Sequence, residues 1–496
     1  MTDRRPLYAL VFLAGTGTLA TEICASRLLA PYYGSSTIVW ANLIGLVLAS
    51  LSLGYWLGGR VADRRPERQL LGTIVVAAAL LVAATPFLAR PFLDVSVQGL
   101  DEASEGAAIG SFFATLVLFA PPVTLMGMAA PFAIRLALGD IASAGTVAGR
   151  LYALSTIGSL LGTFLPALVL IPLVGTQRTM LGAAALLTLG GVLVLRRRWL
   201  LAPIAVAALL AVPPGAVKAS DGLIYERESR YQYVQVVERG DARYLHLDEG
   251  IAVHSVWRRD DVLTGGEWDV FVATPALLER DPRHVAILGN AGGTTARAFG
   301  RYFPRSEIDG VELDPVVSDV GRRFFGLGDN PRLHVHDADA RPFLRSTRTR
   351  YDLIFVDAYR PPYVPFYLAT REFFELARSR LAQGGVLAMN VATVPGDYRL
   401  AHGVESTLRA VFPHVYVWQA LRFNRFVIAS GRELRVREAG PPALLPLLRR
   451  GLRESQQRGE PWTDDHSPVE WITDRMIVEY AAEGGRLNEM QLPTHP

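Results

Sequence analysis

Apolar residues fall into two regimes along this 496-residue chain. Over the first 219 positions they form blocks, several near the roughly 20 residues a helix needs to cross about 30 Å of hydrocarbon. Six blocks predict spans near residues 7–30, 37–59, 70–89, 108–134, 147–174 and 178–195. A seventh, 199–217, is uncharged but short, and Pro203, Pro213 and Pro214 interrupt it. Further on the period shortens. Residues 231–237 and 243–247 flank the turn Arg239-Gly240-Asp241 and predict a hairpin. From Val285 short apolar runs alternate with helical stretches, the pattern of βαβ units around a parallel sheet. Strands are expected at 285–288, 307–311, 333–335, 353–356 and 386–390, and helices at 294–302, 315–325, 370–382 and 402–411.

Charge follows the same division. The first 219 residues hold 24 charged side chains and the remaining 277 hold 73, so the first part suits a bilayer and the second suits water. The only cysteine, Cys24, lies in the first apolar block, which excludes a disulfide-stapled secreted domain. The polar part carries 35 basic and 38 acidic residues with no dense basic block, which argues against nucleic-acid binding. Glu22 and Arg27 interrupt the first block, so it reads as a span and not as a cleaved signal peptide. They admit a polar site for a cation or a pairing near a helix end. Gly15, Gly17, Gly54, Gly58, Gly59, Gly158 and Gly162 are expected to let helices approach closely.

Short cytoplasmic loops collect arginine. Arg4 and Arg5, the group Arg60, Arg64, Arg65 and Arg68, the pair Arg135 and Arg150, and Arg196, Arg197 and Arg198 therefore mark one side. The acidic loop with Asp94, Asp101, Glu102 and Glu105 falls on the other. The amino terminus is expected in the cytoplasm, and with six spans the polar part lies there too, whereas a seventh would place it outside.

In open parallel sheets ligands bind beyond the carboxyl ends of the strands. The first strand runs into Gly289-Asn290-Ala291-Gly292-Gly293-Thr294, a loop of small residues that admits a ligand to the backbone and is expected to aim helix amides at it. The second ends at Glu312, nineteen residues after Gly293, a spacing that suits an acid accepting hydrogen bonds from ribose hydroxyls. Asp339 follows the third strand and Asp357 the fourth. The ordered set points to an adenosine-type nucleotide. Asp314 and Asp339 also fit as helix caps, and Asp352 as a solvated strand edge. His334 and His336 share a strand face without a convincing third ligand, so no metal is expected. The chain has no glycine-bracketed serine elbow, and its single lysine, Lys218, lies outside any phosphate loop, which disfavours hydrolase and nucleoside triphosphatase chemistry.

These stretches resemble a known family. VELD, NPRLHVHDADARPFL, YDLIFVDAY and LAQGGVLAMNV, between Ala286 and Val391, are similar to the spermidine synthase (polyamine aminopropyltransferase) family. SRYQYVQVVE and YLHLDEG resemble its amino-terminal hairpin domain, and RLLAPYYGSST and LGYWLGGRVADR its membrane-fused branch. The resemblance implies a multi-span α-helical domain (1–219), a small β-hairpin domain (220–280) and a Rossmann-like, class I methyltransferase-like catalytic domain (281–432), followed by a helical C-terminal segment (433–496) that is a candidate cover for the site. It implies that Gln232 contacts the nucleoside, Glu312 holds the ribose, Asp339 with Ala340 reads the adenine amine, and Asp357 is catalytic. Gly289, Gly292 and Gly293 would form the nucleoside loop.

Three positions depart from the family pattern. Gly292 stands where the family has an aspartate for the donor's amine, Arg360 where it has a second acceptor-binding aspartate, and Glu267-Trp268 where it has a Tyr-His pair. Arg360 either favours a carboxylate on the substrate, through its bidentate fork, or faces solvent. The acidic run 463–470, with Asp465, either closes over the site or opens a helix. Tyr359, Tyr363 and Tyr367 stand on a proline-rich loop after Asp357 and suit a lid over a substrate chain or ordinary packing. The resulting expectation is a multi-pass membrane transferase. It would move an aminopropyl-type group from decarboxylated S-adenosylmethionine, or S-adenosylmethionine itself, to an amine. The alternatives are a methyltransferase and a nucleoside-regulated transporter or sensor. Expected partners are the lipid bilayer and a small amine, possible homodimerisation included, with no nucleic acid.

Overall fold

The computed structural model describes residues 4–34, 37–100, 106–139, 143–195, 201–213, 215, 217–218, 220–248, 252–359 and 363–485. Asp101, Glu102, Glu105, Arg196, Arg197, Arg198, Pro214 and Arg360 lie outside the described residues. The chain forms two compact units, one of Met1–Ala219 with Arg227–Tyr233, the other of Ser220–Glu226 with Val234–Pro496.

The first unit is helical: α1 (Arg5–Tyr33), α2 (Thr37–Arg64), α3 (Arg68–Leu100), α4 (Gly106–Leu118), α5 (Ala120–Gly127), α6 (Ala129–Ala137), α7 (Ala144–Leu165), α8 (Ile171–Val174), α9 (Thr176–Val192) and α10 (Leu201–Ala208). Among the described residues four helices, Arg5–Tyr33, Ile38–Arg64, Arg68–Ser96 and Ala144–Val174, are long and apolar enough to cross a membrane. A fifth arises if Ile109–Leu118 and Ala120–Ala137 count as one span bent by 48°. This differs from the six blocks of the sequence. Pro121 and Pro122 occupy the first turn of α5, where their missing N–H groups cannot continue α4, and the fourth block breaks there. The sixth block becomes the 17-residue α9. Pro166 opens a single π-turn, Pro166–Leu170, between α7 and α8. Close approach explains most of the glycines: a Cβ on Gly158 or Gly162 would lie 2.2 or 2.1 Å from a carbonyl oxygen of α1. Gly59 is the exception, with open space around it. Arg27 Nη2 donates to the Arg230 carbonyl at 2.5 Å.

The second unit begins with a sheet of order β1-β2-β3-β4, made of β1 (Leu223–Glu228), β2 (Tyr233–Arg239), β3 (Ala242–Leu247) and β4 (Val253–Arg258). The expected hairpin is β2 and β3, which turn through Gly240 at φ 61°. Next come α11 (Glu267–Ala273), β5 (His284–Leu288), α12 (Thr294–Tyr302), β6 (Glu307–Glu312), α13 (Pro315–Phe324), β7 (Leu333–Asp337), α14 (Ala340–Ser346), β8 (Tyr351–Val356), α15 (Arg371–Arg380), β9 (Leu381–Ala392), α16 (Arg399–Arg409), β10 (His414–Gln419), β11 (Asn424–Ser430), α17 (Leu445–Gly451), β12 (Arg453–Glu454) and α18 (Val469–Ala482).

Their eight-stranded order is β12-β10-β11-β9-β8-β5-β6-β7. β5 to β9 are parallel, and β11 inserts antiparallel between β9 and β10. This is the expected Rossmann-like architecture. Alternation along the central strands builds two cores. Leu288, Ile354, Val356, Leu387 and Met389 face Leu344, Phe373 and Val404, while Ile287, Leu353, Phe355 and Ala388 face Phe271, Phe299 and Leu448. Asp352 is not a solvated edge. It is buried and receives Arg280 Nη2 at 2.9 Å, the Arg283 amide at 2.7 Å and the His284 amide at 3.2 Å, tying β8 to the entry of β5.

Candidate active site

The sheet order reverses at β5, with β6 and β7 on one side and β8 and β9 on the other, so the loops after β5 and β8 frame the crevice of an open sheet. Gly289 makes their approach possible. Its φ is 91°, and a Cβ there would meet the Asp357 carbonyl oxygen at 2.4 Å, so only glycine fits. Gly293, at φ 90°, opens α12 in the same left-handed region.

The glycine loop differs from its sequence expectation. Its amides are spent on the protein itself: Gly289 and Asn290 donate to the Val311 carbonyl at 2.9 Å, Ala291 to Glu312 Oε2 at 3.0 Å, Gly292 to Ser255 Oγ at 2.8 Å and Gly293 to the Asn290 carbonyl at 2.8 Å. A phosphate cradle needs free amides, and these five are taken. Gly292 is also crowded, since a Cβ would stand 3.0 Å from Ser255 Cβ and 3.1 Å from the Phe325 ring, and a side chain there requires both to give by a few tenths of an ångström. The place of an aspartate is therefore filled from β4 and from the residue after α13.

Glu312 ends β6 with both oxygens oriented, Oε2 by Ala291 and Oε1 by the Asp314 amide at 3.0 Å. Burial pushes its carboxyl up to about 7 against the pull of those two amides. Each oxygen keeps a lone pair for a further donor, as a ribose diol requires. Asp314 caps α13 through Val316. Asp339 caps α14 by accepting the Arg341 amide at 3.0 Å, and its other oxygen accepts the Tyr367 hydroxyl at 2.8 Å. Capping and ligand reading are thus compatible, because each oxygen has one partner. Ala340 follows, buried at the first position of α14.

Asp357 leaves β8 with its amide bonded to the Leu288 carbonyl at 2.8 Å, and its Oδ1 accepts Asn390 Nδ2 at 2.9 Å. Burial raises its carboxyl to about 7, only partly offset by the Asn390 bond. Glu267, in the first turn of α11, is raised to about 8, first by burial and then by the negative charge of Asp357. Tyr359 donates to the Asn390 carbonyl at 3.0 Å and accepts the Ala392 amide at 2.8 Å. Burial and the charges of Asp357 and Glu267 hold its hydroxyl well above its usual value. The fold therefore brings Glu267, Asp357 and Tyr359 together although about 90 residues separate the first two. Burial disfavours the charged form of both acids, and the charge of Asp357 adds to the shift of Glu267.

Other expected residues have these partners. Gln232 groups with the helical unit, where its carbonyl accepts Ser229 Oγ at 3.0 Å. Asp465 is exposed, and the contacts of its loop are made by Asp464, which meets Arg341 Nη1 and Nη2 at 2.7 and 2.6 Å and Thr370 Oγ1 at 2.8 Å. Tyr363 bonds Asp474 of α18 and Tyr367 bonds Asp339, so the three loop tyrosines are hydroxyl anchors. His334 and His336 pair with Glu307 at 3.1 Å and Asp309 at 2.7 Å on β6. Ser255 and Asn424 carry no sequence motif, and Asn390 lies in LAQGGVLAMNV without a role assigned to it there. The rule that strand ends carry chemistry is the signal that would have flagged its role.

Residues 269–421 match the model of the spermine/spermidine synthase domain. The likeness to that family is carried by this stretch of the second unit. It is 35% identical over 192 residues to a probable polyamine aminopropyl transferase of Bifidobacterium longum, covering 38% of this chain and 42% of the relative. A polyamine aminopropyltransferase of Vibrio vulnificus is 30% identical over 201 residues, covering 39% and 66%. The chain thus spans less than two thirds of the length of these two relatives. One from Mycobacterium tuberculosis is 28% identical over 394 residues, covering 70% and 74%. A match of that length extends beyond the 277 residues that follow position 219 and takes in part of the helical unit. An eEF1A lysine and N-terminal methyltransferase of Mus musculus is 31% identical over 153 residues, covering 29% and 22%. Among solved structures, a probable spermidine synthase from Corynebacterium glutamicum aligns at TM-score 0.40 and 21% identity, covering 54% and 96%. A spermidine synthase in complex with the transition state analogue AdoDATO aligns at 0.39 and 18%, covering 51% and 84%.

Proposed function

We propose that the second unit transfers an aminopropyl-type group from an S-adenosyl sulfonium, decarboxylated S-adenosylmethionine or S-adenosylmethionine itself, to an amine. One observation carries this reading. The loop after β5 spends all five amides internally, while Glu312, Asp339 and Asp357 stand at successive strand ends. Such a site suits a nucleoside without phosphate and with positive charge at sulfur.

The acceptor nitrogen attacks the methylene beside the sulfonium. The C–N bond forms, the C–S bond breaks, and its electron pair leaves on sulfur as a neutral thioether nucleoside. The amine must be neutral to attack, so Asp357 takes its proton. Alignment supplies much of the rate, because attack needs nitrogen, carbon and sulfur in line. The carboxylate also offsets the charge of two cationic reactants in one pocket. Glu267, whose burial disfavours its charged form, donates a hydrogen bond while protonated or ionises when a cation arrives. Gln232, Ala340, Tyr359, Arg360 and the glycines remain candidate contacts of the same reaction.

The crowding at Gly292 favours a second reading, methyl transfer, because it removes the acid expected to bind the donor's amine. Mass spectrometry after incubation with each donor and a panel of amines separates the two: the product gains one aminopropyl or one methyl group. Absence of any covalent product would leave a nucleoside sensor. The helical unit would sit in the bilayer with its amino terminus in the cytoplasm. We place the second unit there too, since S-adenosyl compounds are made in that compartment, and a homodimer fits the family. A reporter fused to the carboxyl terminus tests the side.

A further inference from the structure

We infer that Asn390 and Asn424 are positioning residues that form a one-way hydrogen-bond relay holding the Asp357 carboxylate ionised and facing the acceptor amine. This deepens the transferase reading and rests on it.

The geometry is a chain of two amides. Asn424 Nδ2 donates to Asn390 Oδ1 at 3.1 Å, and Asn390 Nδ2 donates to Asp357 Oδ1 at 2.9 Å. The two asparagines stand near the adjoining ends of antiparallel β9 and β11, where Asn424 pairs with Ala392 and Phe426 with Asn390. Asn390 is 3% exposed, so water does not compete freely for its amide.

Direction follows from the chemistry of the groups. An amide has one accepting and one donating end. Left to itself, Asn390 could turn its oxygen to Asp357 and accept the O–H of the neutral acid. With Asn424 Nδ2 on that oxygen the NH2 end meets Asp357, a direction that holds as long as Asn424 donates. A donated hydrogen bond is stronger to a charged carboxylate than to a neutral acid, which favours ionisation. Oδ2 of Asp357 is left for the incoming nitrogen.

Other elements press on the same group. Glu267 of α11 feels the charge of Asp357, and Asp269 behind it is held by Thr264 and Gly265. Tyr359 stands on the loop of Asp357 itself, fixed to the backbone of β9. Gly289 closes the β5 side with its backbone alone. Burial opposes ionisation of Asp357 and Asn390 supports it, consistent with the direction of the Asp357 shift.

The test uses the full-length protein in detergent. Infrared difference spectra of the carboxyl C=O band, with Asp357→Asn as the blank, give the titration midpoint of Asp357 without turnover. Asn390→Ala should raise it by on the order of one pH unit. Asn424→Ala, which leaves every atom touching Asp357 in place, should raise it in the same direction by a smaller amount. Asn424→Asp, of the same size but unable to donate once ionised, should raise it too, and guards against a misfolded alanine variant. The acid limb of kcat/KM should move with the midpoint, so activity returns at higher pH, while heats of nucleoside binding stay unchanged. Unmoved midpoints in both Asn424 variants overturn the relay, as does activity lost equally at every pH. Should the wild type turn over no sulfonium donor, the transferase reading fails, and the infrared midpoints still decide the relay.

Discussion

Replacing Asp357 with Asn should abolish turnover and, at pH 8, make the second unit more stable. Burial has moved this carboxyl from an ordinary 3.8 to about 7. The protein thus tolerates a poorly solvated acid where its chemistry needs one. Linkage fixes the sign. Below pH 3.8 folded and unfolded chains both hold the proton, and the acid costs nothing. As pH rises the unfolded chain loses the proton first, so stability declines until about pH 7, above which the full penalty remains. Three pH units at 1.36 kcal/mol each set a ceiling of about 4 kcal/mol. Asn keeps the bond from Asn390 but must itself be desolvated, so the expected gain is about 2 kcal/mol. For a domain of this size that is roughly 4–8 °C in apparent Tm. The assay is thermal unfolding of detergent-solubilised wild type and variant at two pH values. The gain should fall by more than half at about pH 5. A variant no more stable at pH 8, or a gain independent of pH, would refute the view that Asp357 is held ionised against its surroundings.

With Asp357 as base, kcat/KM should rise with pH through about 7, which a pH–rate profile measures. Ser255→Ala leaves the Gly292 amide unpaired under β4 and should cost on the order of 1–3 kcal/mol by thermal unfolding. Arg341→Ala frees Asp464, whose side chain is 44% exposed, so the loss should be nearer ~1 kcal/mol, with a melting shift of a few degrees.

The sequence made the central strands and four of their helices legible, because apolar runs punctuated by glycine, proline and helix caps survive any context. Glu312, Asp339 and Asp357 were readable for the same reason, each standing where an apolar run stops. What lay hidden depends on partners distant along the chain. No local signal shows that the Gly292 amide ends on Ser255 of β4, or that Glu267 meets Asp357. β10 to β12 follow the last βαβ unit without its punctuation, and β11 inserts between β9 and β10, so the Asn390–Asn424 contact exists only through antiparallel register. Asp465 fared differently, since it yields the contacts of its loop to its neighbour Asp464.

Calorimetry of the full-length protein with methylthioadenosine and with decarboxylated S-adenosylmethionine bears most directly on whether these acids hold a sulfur-bearing nucleoside. Both should bind with measurable heat to the wild type and to Asp357→Asn, and roughly ten- to a hundredfold more weakly to Glu312→Gln. Absence of heat from well-folded protein with either ligand, or equal affinity in Glu312→Gln, would contradict it.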